Sequence, residues 1–135
     1  MARTRIELPS ALADWIDRKI ELRGGVREVR ILSCDALPFD WLPGDRSRFS
    51  GITLFGSIYL RKRIVINPND HSAIHLLLHE LVHIRQFQTR NLFALRYVMG
   101  LARYGYWHHP AEIEARDVSE KLMQEFVLEK PCEGD

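Results

Sequence analysis

The chain has 135 residues, of which 46% are apolar and 27% are charged. This size and composition predict one globular domain and exclude a second full domain. Its 19 basic and 18 acidic side chains leave a formal charge of +1, without a long run of one sign of the kind that follows nucleic-acid backbones or anionic lipid. Nucleic-acid binding is therefore not expected. Two cysteines, Cys34 and Cys132, are too few for a disulfide scaffold and favour a reducing compartment.

The N-terminal residues alternate charged and apolar side chains and lack the apolar core of a signal peptide. We therefore expect a cytoplasmic protein, or one exported by another route. The longest apolar stretch, Leu92 to Trp107, is interrupted by arginines and glycines and is too short to cross roughly 30 Å of hydrocarbon. No membrane span is expected, and the oligomeric state stays open.

The first predicted element is a helix that starts with Ser10 as its N-cap and stops at Gly24-Gly25. A strand is predicted within Val26–Ser33, followed by a loop over Asp35–Ser50, which contains two prolines and a glycine.

Alternating apolar residues over Ile52–Leu60 and a further apolar run, Ile64-Val65-Ile66, predict a hairpin or a small meander. Its segment Ser57–Leu60 is interpreted either as an edge that pairs with an extended peptide or as an internal strand. The basic residues Arg61-Lys62-Arg63 are expected at a solvated hairpin tip.

Three helices complete the chain. Asp70 is the predicted N-cap of a helix that runs to about Gln88. Two more are predicted over Leu92–Arg103 and from Pro110, at an N1 position, through Leu128. The order of elements predicts an α+β domain with helices packed on one side of a small antiparallel or mixed sheet.

The sequence His79-Glu80-Leu81-Val82-His83 is an HExxH motif within the second predicted helix. Histidines four residues apart lie on one helical face, so both imidazoles can reach one zinc ion. Glu80 projects about 100° around the axis and can act as the general base on a metal-bound water.

This helix is expected to be buried and central, because apolar residues cover most of its circumference. The remaining polar stripe contains His75, Gln86 and the two motif histidines. His75 is interpreted as a ligand or as a residue of the cleft. Gln86 either bonds across to a strand or to the last helix, or is simply polar near a helix end.

A third metal ligand must come from another element, and the last helix offers two carboxylates. Its predicted inward face comprises the residues at helical spacing Ala111, Ala115, Val118, Leu122 and Phe126. Glu112 lies about 60° from the centre of that face and Glu114 about 100° away on the opposite flank. Glu112 is therefore the predicted ligand, with Glu114 as the alternative.

The segment His79-Glu80-Leu81-Val82-His83-Ile84-Arg85-Gln86 follows a glycine-containing strand, Gly51–Leu60, and Leu76-Leu77-Leu78. This arrangement resembles the compact bacterial zincin-like domains typified by the core domain of extracellular contractile injection systems. The segment Pro110–Ala115 is similar to the glutamate helix of gluzincin-type peptidases. The resemblance covers about residues 50 to 118 and implies a minimal zincin-like fold, with the whole chain as one metallopeptidase domain.

The chain departs from the gluzincin pattern at one position. Gluzincins commonly carry an aspartate four residues after the ligand glutamate, where this sequence has Arg116, and the nearest acid is Asp117. Either the groups that orient the histidines differ or the ligand register is shifted by one. Asp117, Asn67 and a backbone carbonyl are the candidate partners of the imidazoles.

These observations predict a zinc-dependent hydrolase that cleaves peptide bonds in a peptide or protein substrate, with one zinc per chain. The alternatives are a non-catalytic zincin-fold module that binds zinc and a partner protein, and a structural domain without metal. An aromatic and imidazole cluster before the last helix is interpreted as a source of an oxyanion donor or as packing. It comprises Tyr104, Tyr106, Trp107, His108 and His109.

Overall fold

A computed structural model describes residues 3–38, 50–54 and 56–131 of the chain. Its elements, in chain order, are β1 (Arg3–Arg5), α1 (Ser10–Lys19), a 3₁₀ turn (Val26–Glu28), β2 (Arg30–Cys34), β3 (Gly51–Leu54), β4 (Ser57–Arg61), α2 (His71–Thr89), α3 (Phe93–Tyr104) and α4 (Pro110–Glu129). The expected α+β class is confirmed.

The described strands form one mixed sheet in the order β1-β2-β4-β3. The β2 and β4 strands run parallel, whereas β1 pairs with β2 and β3 pairs with β4 in antiparallel fashion. The β4 strand is therefore internal, which excludes it as the edge that receives a peptide. At the turn into β4, Gly56 has a φ of 81°, a conformation that side-chain-bearing residues rarely adopt.

Two of the predicted strands differ from the structure. The segment predicted within Val26–Ser33 begins as the 3₁₀ turn, and β2 starts only at Arg30. The run Ile64-Val65-Ile66 is not a strand: its two isoleucines pack on the core and Val65 is exposed. The alternation predicted a strand, but it belongs to an irregular segment in which every second side chain packs against the core.

The predicted helices are found with small shifts at their ends. Pro9, not Ser10, is the N-cap of α1, and α1 ends at Lys19, before Gly24. The Asp70 side chain accepts a hydrogen bond from the Ala73 amide at the start of α2, as predicted. Pro110 begins α4 with His109 as its cap. Most of the loop predicted over Asp35–Ser50, as well as Cys132, lies outside the described residues.

The core lies between one face of the sheet and the helices. Ile31, Ile58 and Leu60 supply the strand side, and they cluster with buried residues of α1, α2 and α4. Helix α2 contributes ten buried residues, which makes it the central helix that the sequence predicts. Within the described residues, no helix combines the length and apolarity needed to cross a membrane.

Candidate metal centre

The HExxH residues lie on the middle turns of α2. The imidazole centroids of His79 and His83 are 4.9 Å apart, as expected for ring-bearing side chains four residues apart on a helix. One potential ligand atom from each of His79, Glu80 and His83 lies within 4.8 Å of the others, so this group could hold a metal ion.

Helix α4 brings a second carboxylate to the same point. Glu112 Oε1 lies 3.1 Å from His79 Nε2 and 3.0 Å from His83 Nε2. The position follows from helical periodicity, since Ala111 and Ala115 face inward beside Glu112 and all three residues are buried. The structure thus brings together the three residues predicted as ligands, although their metal binding stays a prediction.

Glu114 occupies the opposite flank of α4. Its carboxylate accepts hydrogen bonds from Arg90 Nη2 at 2.7 Å and from Gln86 Nε2 at 2.8 Å. Burial acts to raise the pKa of Glu114, but these two hydrogen bonds outweigh it and lower the pKa. In this structure Glu114 contacts neither motif histidine through a hydrogen bond, so its role is to join α4 to the end of α2.

Gln86 orients His83. Its amide nitrogen donates to two oxygens, the Ala111 carbonyl and Glu114 Oε1, so its oxygen must face the imidazole. That oxygen lies 2.8 Å from His83 Nδ1. The proton of a neutral His83 therefore resides on Nδ1, and the Nε2 lone pair points toward Glu112 and His79.

The sequence offers Asp117, Asn67 or a backbone carbonyl as the partner that orients the imidazoles. For His83 this prediction is wrong, because the partner of its Nδ1 is Gln86. Asn67 accepts a hydrogen bond from the Asn69 amide in the turn before α2, and Asp117 is exposed. Of the two interpretations given for Gln86, the bond across to α4 is the one observed.

In the neutral His83 tautomer described above, His83 Nε2 and Glu112 Oε1 are both acceptors, and two acceptor atoms 3.0 Å apart require a cation or an added proton between them. Burial acts to lower the pKa of His83, but the Glu112 hydrogen bond and the charge of Glu80 outweigh it and raise the pKa. Burial likewise acts to raise the pKa of Glu112, yet the hydrogen bonds of His79 and His83 hold it far below its usual range. The Glu112 carboxylate is thus negatively charged, and the centre attracts positive charge.

A tyrosine that the sequence analysis did not single out completes the Glu112 environment. The Tyr97 hydroxyl of α3 donates to Glu112 Oε2. Burial, followed by the charge of Glu112, raises the pKa of Tyr97, so the phenol stays protonated as a donor. The available signal was weak: Tyr97 is a hydroxyl-bearing residue in a nearly apolar helical segment.

Glu80 is also buried in this centre. Its Oε2 has no hydrogen-bond partner among the described residues. Burial raises the pKa of Glu80, and the nearby His83 and His79 oppose that effect only in part. Thr53 Oγ1 of β3 donates to the Glu80 backbone carbonyl at 3.2 Å, which ties this part of α2 to the edge of the sheet. An unpartnered buried carboxylate oxygen is rare and calls for a ligand or water.

A cleft of about 520 Å³ opens beside His79 and Glu80. Its walls include Gly51 of β3, Tyr106 and Arg116. His75 lines the same cleft and is exposed, which agrees with the interpretation of His75 as a cleft residue. A larger cavity of about 670 Å³ lies near Gln86 and Glu114 and does not include His79 or Glu80.

The aromatic and imidazole cluster serves several purposes. His109 Nδ1 accepts from the Ala111 amide at the start of α4, and His109 Nε2 bonds the Tyr97 carbonyl. The Arg116 guanidinium stacks on Trp107, with 4.0 Å between its Cζ and the ring centroid. Tyr106 is the member of the cluster that lines the cleft, whereas Tyr104 and His108 are exposed.

The chain matches no protein-family model, no curated protein and no solved structure. Its function is therefore inferred from the geometry of the centre.

Proposed function

We propose that the protein is a zinc-dependent hydrolase of the peptidase type, with one zinc held by His79, His83 and Glu112. The observation that carries the proposal is the position of Glu112 Oε1, within 3.1 Å of both imidazole Nε2 atoms and supplied by a different helix.

The donor set fits zinc. Two imidazole nitrogens and one carboxylate oxygen match a catalytic site with one open position. The two nitrogen-to-oxygen separations are close to the roughly 3.4 Å between neighbouring ligand atoms in a tetrahedral zinc site. The Gln86 bond holds the His83 tautomer with Nε2 available, which is the orientation that a ligand requires.

Glu80 is the proposed general base. A zinc ion held by these three residues would act as a Lewis acid that acidifies water and polarises a carbonyl. Glu80 Oε2 then accepts the proton of the attacking water and passes it to the leaving amine. Its unpartnered oxygen and its raised pKa support this role, because a carboxylate that is more basic than a free glutamate accepts a proton more readily.

The substrate is proposed to be a peptide that lies along β3. In the described sheet β3 is an edge strand, and Gly51 of β3 lines the cleft beside His79 and Glu80. An extended peptide can add to such an edge through main-chain hydrogen bonds. Tyr106 lines the same cleft, and its hydroxyl is the candidate donor to the carbonyl oxygen of the substrate.

The substitution Glu80→Gln tests the enzymatic proposal. We expect zinc content and thermal unfolding to stay close to wild type, because Glu80 is not among the proposed ligands. Cleavage in a peptide-library assay should fall by about 10²- to 10⁴-fold, which is the usual contribution of general acid-base catalysis.

Elemental analysis of the same samples separates the alternatives. Zinc at one per chain together with cleavage that Glu80→Gln does not slow would contradict the role of Glu80. Zinc without cleavage of any library peptide would favour the non-catalytic module, and absence of zinc from metal-supplemented protein would exclude the centre itself.

A further inference from the structure

Helix α3 exposes an apolar face that the rest of the described structure does not cover. None of its residues is buried, and the large side chains around it are strongly exposed. The exposed fractions are 71% for Leu92, 56% for Leu95, 62% for Val98 and 63% for Met99. Apolar residues scattered singly are normal on a protein surface, whereas a contiguous face of this kind marks an interaction site.

The residues of this face are contiguous on the helix. At 100° per residue, Leu95, Val98, Met99 and Ala102 fall within an arc of about 100°. The opposite side of α3 carries Phe93 and Tyr97, which face the protein: their rings lie 5.9 Å apart, and Tyr97 stacks on His109. The helix thus has one side attached to the metal centre and another side turned away from it.

The charges beside the face all have one sign. No aspartate or glutamate occurs from residue 81 to residue 111, a segment that contains four arginines. Arg85 and Arg90 pair with Glu21 and Glu114. Arg96 and Arg103 are exposed, and the described part of the chain places no carboxylate in ion-pair contact with either of them.

These two arginines run along one border of the apolar face, about 40–60° beyond Met99 on the helical wheel. From that border, a long side chain can place its alkyl portion on the apolar surface and its guanidinium among anionic groups. Trp107 is 65% exposed just after the helix, and Tyr104 is about half exposed at its end. Aromatic residues of these two types are enriched where proteins meet the lipid headgroup layer.

We propose that α3 and the turn after it form a docking surface for an anionic lipid membrane, on which the helix lies parallel to the bilayer plane. A broad apolar face bordered by arginines, with no acidic residue, is the pattern of an interfacial helix. A second copy of the chain fits the surface less well. A twofold interface centred on this face would leave the arginines of both copies without a carboxylate to pair with, because neither the face nor its borders carry an acidic residue.

Docking in this way would place the candidate metal centre next to the membrane. Tyr97 reaches Glu112 from the side of α3 opposite the docking face, so the centre would lie about one helix diameter, roughly 10 Å, from the lipid. The docking proposal does not depend on the proposed peptidase activity and is tested without it.

The test is co-sedimentation of the full chain with vesicles at low salt. One set of vesicles contains phosphatidylcholine alone, and the other contains equal parts of phosphatidylcholine and phosphatidylglycerol. We expect strong partitioning to the mixed vesicles and weak partitioning to phosphatidylcholine, because anionic headgroups attract arginines.

Two double variants assign the binding to α3. Leu95→Ser with Met99→Ser should lower the partition coefficient at least about tenfold, since it removes apolar side chains that insert into the lipid. Arg96→Gln with Arg103→Gln should lower it for mixed vesicles by roughly 25-fold, or about fivefold per arginine. The matched control is Val127→Ser with Leu128→Ser, an exposed apolar pair on α4, which should bind as wild type does.

Several results would overturn the proposal. They are no partitioning of wild type to mixed vesicles, equal binding of both α3 variants and wild type, or a wild-type dimer that Leu95→Ser with Met99→Ser converts to a monomer. Circular dichroism melting verifies that each variant is folded, and the arginine variant keeps the test decisive if the apolar variant unfolds.

Discussion

At the scale of single residues, the centre depends on a polar side chain that binds no metal in the proposed site. Gln86 has a defined amide orientation because both oxygens that accept from its nitrogen belong to α4. Its oxygen in turn sets the tautomer of His83. A glutamine buried at 2% exposure is therefore explained by a complete set of partners.

The two carboxylates of α4 provide a matched pair of substitutions. Glu112→Gln should weaken zinc binding severely, because it removes the negative charge of one of three proposed ligands. Glu114→Gln should have little effect on zinc binding, because Glu114 bonds Gln86 and Arg90 and makes no hydrogen bond to either histidine. Competition with a zinc-selective chelator measures both affinities. The reverse order would shift the ligand register to Glu114.

At the scale of elements, one imidazole connects α3 to the start of α4. His109 caps α4 through its Nδ1 and bonds the Tyr97 carbonyl of α3 through its Nε2. The close approach requires a glycine, because a Cβ at Gly100 would lie 2.5 Å from His109 Nε2. The bond between His109 and the Tyr97 carbonyl helps to hold Tyr97 beside Glu112, and it thereby connects α3 to the candidate metal centre.

Gly100→Ala should therefore destabilise the protein by about 1–3 kcal/mol, the usual cost of overpacking. This loss exceeds the gain of up to about 1 kcal/mol that alanine brings to a helix interior. The free energy of unfolding in urea measures the change.

The sign should reverse when His109 is first replaced by alanine, because the clash is then absent and only the gain in helix propensity remains. Equal destabilisation in both backgrounds would show that the contact with His109 is not the cause.

At the scale of the whole molecule, the proposed ligands couple two helices that are far apart in sequence. His79 and His83 belong to α2 and Glu112 belongs to α4, with α3 between them along the chain. An ion bound to all three would connect α2 to α4 across the site in the folded protein only. Metal binding and folding should therefore be linked.

Zinc should accordingly raise the melting temperature. At free zinc one hundred times the dissociation constant, linkage stabilises the folded state by about 2.7 kcal/mol. For a domain of this size, that corresponds to an increase of roughly 10 °C. Differential scanning calorimetry measures the shift, and a chelator should reverse it. The same increase in a His79→Ala, His83→Ala double variant would place the zinc elsewhere.

Local periodicity determined much of the structure from the sequence alone. The Asp70 cap, the extent of α2 and the shared face of His79 and His83 follow from spacing within one helix. The inward placement of Glu112 and the placement of Glu114 on the opposite flank also follow, since both are positions on one amphipathic helix. Such patterns report which side of an element faces the core.

Only the tertiary structure decided which elements meet. No local pattern predicts the parallel pairing of β2 with β4 or the irregular path of Ile64-Val65-Ile66, because both depend on neighbours that are distant in the sequence. The oxygens that accept from the Gln86 amide nitrogen and from the Tyr97 hydroxyl also lie on another helix, between 15 and 28 residues away. Hydrogen bonds between separate elements depend on how those elements pack, and periodicity within one element carries no information about its partner's register.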